Sequence, residues 1–222
     1  MRYSVSLDSP ELPILDAPLD QATVVLVRLA SGIALGREAL IHERSRAAAQ
    51  DDVPPIWIDE LLLQSMLMVG WPRTLVAAAI WRRASGVSAP AADRSAAESL
   101  AEWQRRGEAT CARVYGANYQ RLRENVHALH PALDGWMVAD GYGKVLSRPA
   151  LDLARRELCV VAQTAVLGTE RQLHSHLRGA LHAGASRAAV EETLALLAAD
   201  LEPAGLDLVR KTWGQVQRSP GD

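Results

Sequence analysis

The feature that most limits the folds open to this chain is an internal repeat. "ALGREALIHERSRAAAQ" (Ala34–Gln50) aligns with "VLGTERQLHSHLRGALH" (Val166–His182), matching Gly36 with Gly168, His42 with His174 and Arg46 with Arg178. With a one-residue gap near "DDVPPIW", Pro72 of "GWPRTL" meets Pro203 of "LEPAGL". Each unit then reads helix, glycine turn, helix, turn, helix, proline, helix. Alanine and leucine dominate between these breaks, with no sustained β-type alternation, so the expected fold class is all-α.

The breaks also set expected boundaries. Residues 1–18, with prolines at 10, 13 and 18, read as an N-terminal arm, either disordered or packed on a neighbouring subunit. The first unit covers 19–85, "GVSAPAADRS" (86–95) reads as a linker, and the second unit covers 96–222. Within the second unit, 96–125 reads as one charged amphipathic helix, and "GYGKVLSRPALD" as a loop broken by Gly141, Gly143 and Pro149. Helices are expected from about Leu153 to Leu167 and from Glu170 to Ala183, with Gly184 and Ser186 as caps.

Composition excludes several function classes. A chain of 222 residues with 49% hydrophobic and 23% charged residues can bury a core and reads as soluble and globular. A net charge of −2 gives no electrostatic reason to expect nucleic acid. Glu191, Glu192, Asp200 and Glu202 likewise argue against reading "LHSHLRGALHAGASRAAVEETLALLAADL" as a DNA-binding helix–turn–helix. Cys111 and Cys159 form no CxxC or zinc pattern and read as reduced thiols. The N-terminus shows no basic segment followed by an apolar run. The most apolar stretch, "ATVVLVRLASGIAL", is interrupted by Arg28 and falls short of the roughly 20 residues a bilayer requires. The expectation is a cytoplasmic protein without a membrane span.

Chemistry concentrates in "RQLHSHLRGALHAGAS" (171–186), which holds His174, His176 and His182. A helical chelate needs ligands at i and i+3 or i+4. His174 and His176 stand about 200° apart on a helix, and His182 a further ~240° round. One ion cannot collect them from this helix, so no metal is expected. Glu157 lies eleven residues before Gly168 and His176 eight after it. In an antiparallel helical hairpin their axial positions nearly coincide. A carboxylate beside an imidazole fixes its tautomer and suits it to proton transfer near neutral pH. The other reading keeps Glu157 solvated and His176 as an ordinary surface or core histidine. The six tryptophans are scattered singly and read as bulk for core and subunit contacts.

From "RGEATCARVYG" through "DGYGKVLSRPALDLARRELCVVAQTAVLGTERQLHSHLRGALHAGASRAAVEETLALLA" the chain resembles the carboxymuconolactone decarboxylase family. The loop "YGKVLSRPALD", the turn "VLGTE" and the helix "HLRGALHAG" carry the resemblance, which covers about Arg106 to Ala199. It implies an alkylhydroperoxidase D-like helical fold. It also implies a cofactor-free lyase of aromatic catabolism acting on a small carboxylated lactone or related enolisable acid. In that light His176 is the proton donor, Glu157 its orienting partner, and Arg178 either an anion holder or half of an intersubunit salt bridge. Family decarboxylases form rings of six single units, so two units per chain imply a homo-oligomer, a trimer imitating that ring.

The wider superfamily includes a thiol peroxidase with a glutamate, a CxxC pair and a histidine. Thr169 and Gln172 stand where its cysteines would be, which rules that activity out. In the first unit Val25 and Arg44 replace the glutamate and histidine, so any centre belongs to the second unit. The alternative function is a non-catalytic all-α oligomer that binds a ligand or partner.

Overall fold

The computed structural model describes residues 15–51, 53–93 and 95–218, and every element among them is helical apart from one isolated bridge. The first unit contains α1 (Gln21–Leu35), α2 (Glu38–Gln50) and α3 (Pro55–Ser85). The second opens with α4 (Leu100–Tyr115), α5 (Tyr119–Leu129), α6 (Pro131–Trp136) and a π-helical segment, Met137–Leu146. It continues with α7 (Leu153–Val166), α8 (Glu170–His182), α9 (Arg187–Leu196) and α10 (Pro203–Arg218).

Local chemistry explains why the two units look alike. Asp20 and Asp152 stand at matching positions ahead of α1 and α7, and each caps its helix through the backbone N–H three residues on. Gly36 and Gly168 close those helices at φ 71° and 67°, a left-handed conformation that glycine adopts without steric cost. In α3, Gly70 (φ 72°, ψ 174°) breaks the helical path just before Pro72, so its two halves take the places of α9 and α10.

By length and composition α3 could cross a bilayer, a property the sequence reading did not find in it. Only 33% of its apolar stretch is buried, and the buried side chains of α3 include polar ones of its first half. Its Glu60 and Gln64 are buried and bond to Arg156 of α7, while Arg148 closes the other side of the Glu60 carboxylate. Arg156 is fully enclosed, yet its guanidinium also bonds the carbonyls of Leu151 and Arg148. A buried charge is tolerable only when paired and hydrogen-bonded in this way.

α1 and α7 are the central pair. Arg156 to Ala165 are buried without a break, and Val25 to Ala34 are buried except for Arg28. A helix apolar on nearly all sides belongs in the middle of a stack. One hydrophobic core takes Leu26, Leu29 and Ile33 from the first unit with Leu158, Val161 and Ala165 from the second.

Several sequence expectations need correction. The segment 96–125 is not one helix: α4 stops at Tyr115, and Gly116 (φ 54°) turns the chain into α5. "GYGKVL" is not loop but the end of the π-helical segment. Gly143 of this segment and Gly107 of α4 serve packing. A Cβ on Gly143 would fall 1.9 Å from the carbonyl oxygen of Trp103, and one on Gly107 2.0 Å from that of Val138. The two backbones therefore touch, and that contact offsets the poor helix propensity of glycine. Of the arm, residues 1–14 lie outside the described residues. Leu15 instead pairs within its own chain, donating to the Gly184 carbonyl and accepting from Ser186 N–H. Trp71 and Trp136 are 64% and 63% exposed and so stand outside the core of this chain.

Candidate active site

Glu157 sits in the middle of α7, one residue past Arg156 and so about 100° round the helix. Arg156 faces α3, and Glu157 faces α8. The turn Leu167–Thr169 brings α8 back along α7, which delivers His176 to Glu157. The Nδ1 of His176 and Oε2 of Glu157 are 2.8 Å apart. Glu157 is fully buried and His176 is 5% exposed. A carboxylate only accepts, so the proton of this bond lies on Nδ1, and Nε2 becomes the nitrogen that can address a substrate. The other Glu157 oxygen, Oε1, is buried and has no hydrogen-bond partner among the described residues.

The carboxylate fits because residue 179 is glycine. A Cβ there would lie 2.6 Å from Glu157 Oε2 and 2.7 Å from Val114 Cγ1. Gly179 is three residues past His176, on the same face of α8. It opens the slot in which the pair forms.

Two tyrosines back the pair. The ring of Tyr115, at the end of α4, meets the His176 ring edge-on, with centroids 6.5 Å apart. Tyr142 meets Tyr115 edge-on at 6.1 Å from behind. Burial pushes the Tyr115 hydroxyl up to about 12 and the Tyr142 hydroxyl well above its ordinary value. Cys111, buried beside them, is likewise pushed up to about 12 by burial. At neutral pH the phenols and the thiol stay protonated.

Tyr115 also lines a cleft of about 360 Å³ whose other walls include Arg121, Asn125, His174, Ser175 and Arg178. Among the described residues two guanidinium groups line it. The structure thus brings Glu157 and His176 into contact and puts Arg178 on the wall of the adjoining cleft. His174 lines that cleft as well, its ring held below the usual value by burial and by Arg178. His182 turns elsewhere, its Nδ1 lying 2.9 Å from the Val114 carbonyl. The three histidines face three different surroundings, as helical geometry requires. Among the described residues no three His, Cys, Asp or Glu side chains are grouped as metal ligands.

The first unit has lost the corresponding centre. Val25 is core, and Arg44 reaches Asp200 at the end of the other unit's helical run. Sequence reasoning did not assign roles to Tyr115, Tyr142, Arg121 or Gly179. Their only signal was proximity to the resemblance: "VYG", "GYG" and "LRGALH" all lie in its segments.

A sequence model of the carboxymuconolactone decarboxylase family matches residues 131–210. The match contains α7, α8, α9 and most of their flanks, with Glu157, His176 and Arg178 inside it. Over these residues the chain is similar to that family. α4 and the first unit lie outside the matched stretch, so the segment of resemblance between Arg106 and His130 is not covered by it. The chain is also similar to a protein named peroxisomal protein 2 from Schizosaccharomyces pombe. The two are 25% identical over 174 residues, covering 76% of this chain and 81% of the relative. That alignment is longer than the second unit and so reaches into the first.

Proposed function

We propose that this carboxymuconolactone decarboxylase-like protein is a cofactor-free lyase acting on a small carboxylated lactone or related enolisable acid. One observation carries the reading: an imidazole oriented by a buried carboxylate, next to a cleft whose walls include Arg121 and Arg178. Arginine holds carboxylates through paired N–H donors. The C–C bond to the departing carboxylate breaks, and its electron pair moves through the C=C bond into the carbonyl oxygen. His176, protonated on both ring nitrogens for this step, then gives its Nε2 proton to carbon, CO2 leaves, and water reprotonates Nε2. Glu157 keeps Nδ1 protonated and the ring aimed throughout.

The test is CO2 release from a γ-carboxylactone by the wild type and by His176→Ala. Loss of release in a variant whose oligomeric state is unchanged supports the reading. Unchanged turnover in the variant, or none in the wild type, overturns it and leaves a ligand-binding protein of the same fold.

We also propose a trimer, six units in all. Trp71, Leu75 and Trp136 are 64%, 59% and 63% exposed, and such side chains support burial between copies. Sedimentation equilibrium giving a monomer mass would exclude it.

A further inference from the structure

We propose that this chain carries a second ligand site, separate from the Glu157–His176 pair: a cavity of about 680 Å³ between the two units, which takes a neutral, largely apolar small molecule. The inference stands on this cavity and does not depend on the lyase reading.

Three parts of the chain build it. Ile56, Asp59, Glu60, Leu63 and Met66 of α3 line it at the spacing of one helix face. Ala92 and Asp93 reach it from the linker. Asp140, Lys144 and Val145 reach it from the π-helical segment. On an α-helix Asp140 and Val145 would stand about 140° apart. The i→i+5 winding stacks them on one side instead, and such windings recur at functional sites. Glu60 and Val145 are buried, so the cavity reaches down to the interior of the chain. Its volume is that of an ordinary small-molecule site.

The charges on these walls select the ligand. Asp59 accepts from Arg82, and Glu60 accepts from Arg148 at 2.9 Å and from Arg156 at 2.8 Å. Asp93 accepts from the N–H and hydroxyl of Ser95 and from Arg148, which ties the linker to the cavity. The Lys144 ammonium lies over the Trp103 ring, 4.6 Å from its centroid. Asp140 is exposed to water, where a single carboxylate gains little from a counter-ion. A charged ligand would give up its hydration and find the buried charges of the wall already matched. The rest of the lining is mostly apolar, with Ile56, Leu63, Met66, Trp71 and Val145. Leu63 and Trp71 are exposed side chains, and removing such surface from water is what an apolar ligand gains by binding here.

The test uses the full chain in its native oligomeric state and a neutral fluorescent probe, N-phenyl-1-naphthylamine, which brightens in apolar surroundings. We expect saturable binding to the wild type at one site per chain, reversed by 2-methylnaphthalene. Naphthalene-2-carboxylate has the same rings and a charge, and should compete at least roughly tenfold more weakly. Leu63→Trp adds bulk inside the cavity and should weaken probe binding by roughly tenfold or more. Circular dichroism checks its fold. If Leu63→Trp fails to fold, Ala92→Trp on the linker decides: weaker binding supports the proposal, unchanged binding overturns it. His176→Ala should bind the probe as the wild type does. Loss of binding in that variant would put the probe at the His176 site and overturn the proposal. So would a wild type that takes up no probe, as when a neighbouring copy fills the cavity. Equal competition by the carboxylate and the neutral hydrocarbon overturns it as well.

Discussion

The carboxylate of Glu157 occupies the space that a side chain on Gly179 would need, with Oε2 only 2.6 Å from the position of a Cβ there. The Glu157–His176 pair therefore depends on a missing methyl group. In most helix interiors Gly→Ala stabilises by about 1 kcal/mol. Here overpacking costs about 1–3 kcal/mol and should win. Gly179→Ala is expected to lower stability in urea unfolding by a net of up to ~2 kcal/mol and to displace Glu157 from His176. A stabilised variant with full turnover would show that the slot is not needed.

Replacing Glu157 by glutamine preserves volume but lets the neighbouring imidazole adopt the other tautomer. General acid–base groups contribute roughly 10²–10⁴ in rate. Glu157→Gln should therefore fold and bind substrate while losing about 10² or more in kcat. Steady-state kinetics with a pH profile checks this, and a KM effect with unchanged kcat would contradict it.

Arg44 joins the two units through Asp200, its Nη2 and Nη1 lying 2.6 Å and 2.8 Å from the two carboxylate oxygens. Burial pushes Asp200 up, but hydrogen bonds from Arg44 and Ser31 and the arginine charge outweigh it, so the carboxyl sits below its ordinary value. A depressed carboxyl stabilises the fold fully above its unfolded pKa of about 3.9 and loses that contribution as pH falls through the folded value. Asp200→Asn should cost about 1–3 kcal/mol at pH 7, and the gap to wild type should narrow below about pH 4. Urea midpoints of both proteins across that range decide it. A gap that stays constant to pH 3 would show that the pair contributes no charge-dependent stability.

The two thiols should be silent in the folded protein. Cys111 and Cys159 are both buried, and burial holds both up near 12. Thiolate is the reactive form. A disulfide reagent such as 5,5′-dithiobis(2-nitrobenzoate) should react with neither cysteine before unfolding and with both in denaturant. Peroxide reduction should be absent. Rapid labelling of the native protein would show that the helices open far more readily than this core implies.

How much of this could be read from the sequence varies by element. The α7–α8 hairpin was legible because its determinants are local: the Asp152 cap, the Gly168 turn and two stretches of helical periodicity. Counting residues from Gly168 was enough to bring Glu157 and His176 to one level. "GYGKVL" was misread because two glycines in six residues resemble a loop. The purpose of Gly143 lies in Trp103, some forty residues upstream, which no local rule reaches. The break at Gly116 was missed for a related reason, since its left-handed φ is held by His182 of another helix.

The all-α class, the repeat, the hairpin and the absence of the Glu–His pair from the first unit are legible residue by residue, because periodicity, caps and residue identity are properties of short segments. Only the tertiary structure decided what surrounds that pair. Tyr115, Tyr142 and Gly179 reach it from three separate elements, and the Arg44–Asp200 and Arg156–Glu60 bonds join residues 156 and 96 positions apart. Contacts of that span depend on how helices stack around a shared core, and the side chains that make them carry no local signal of their partners.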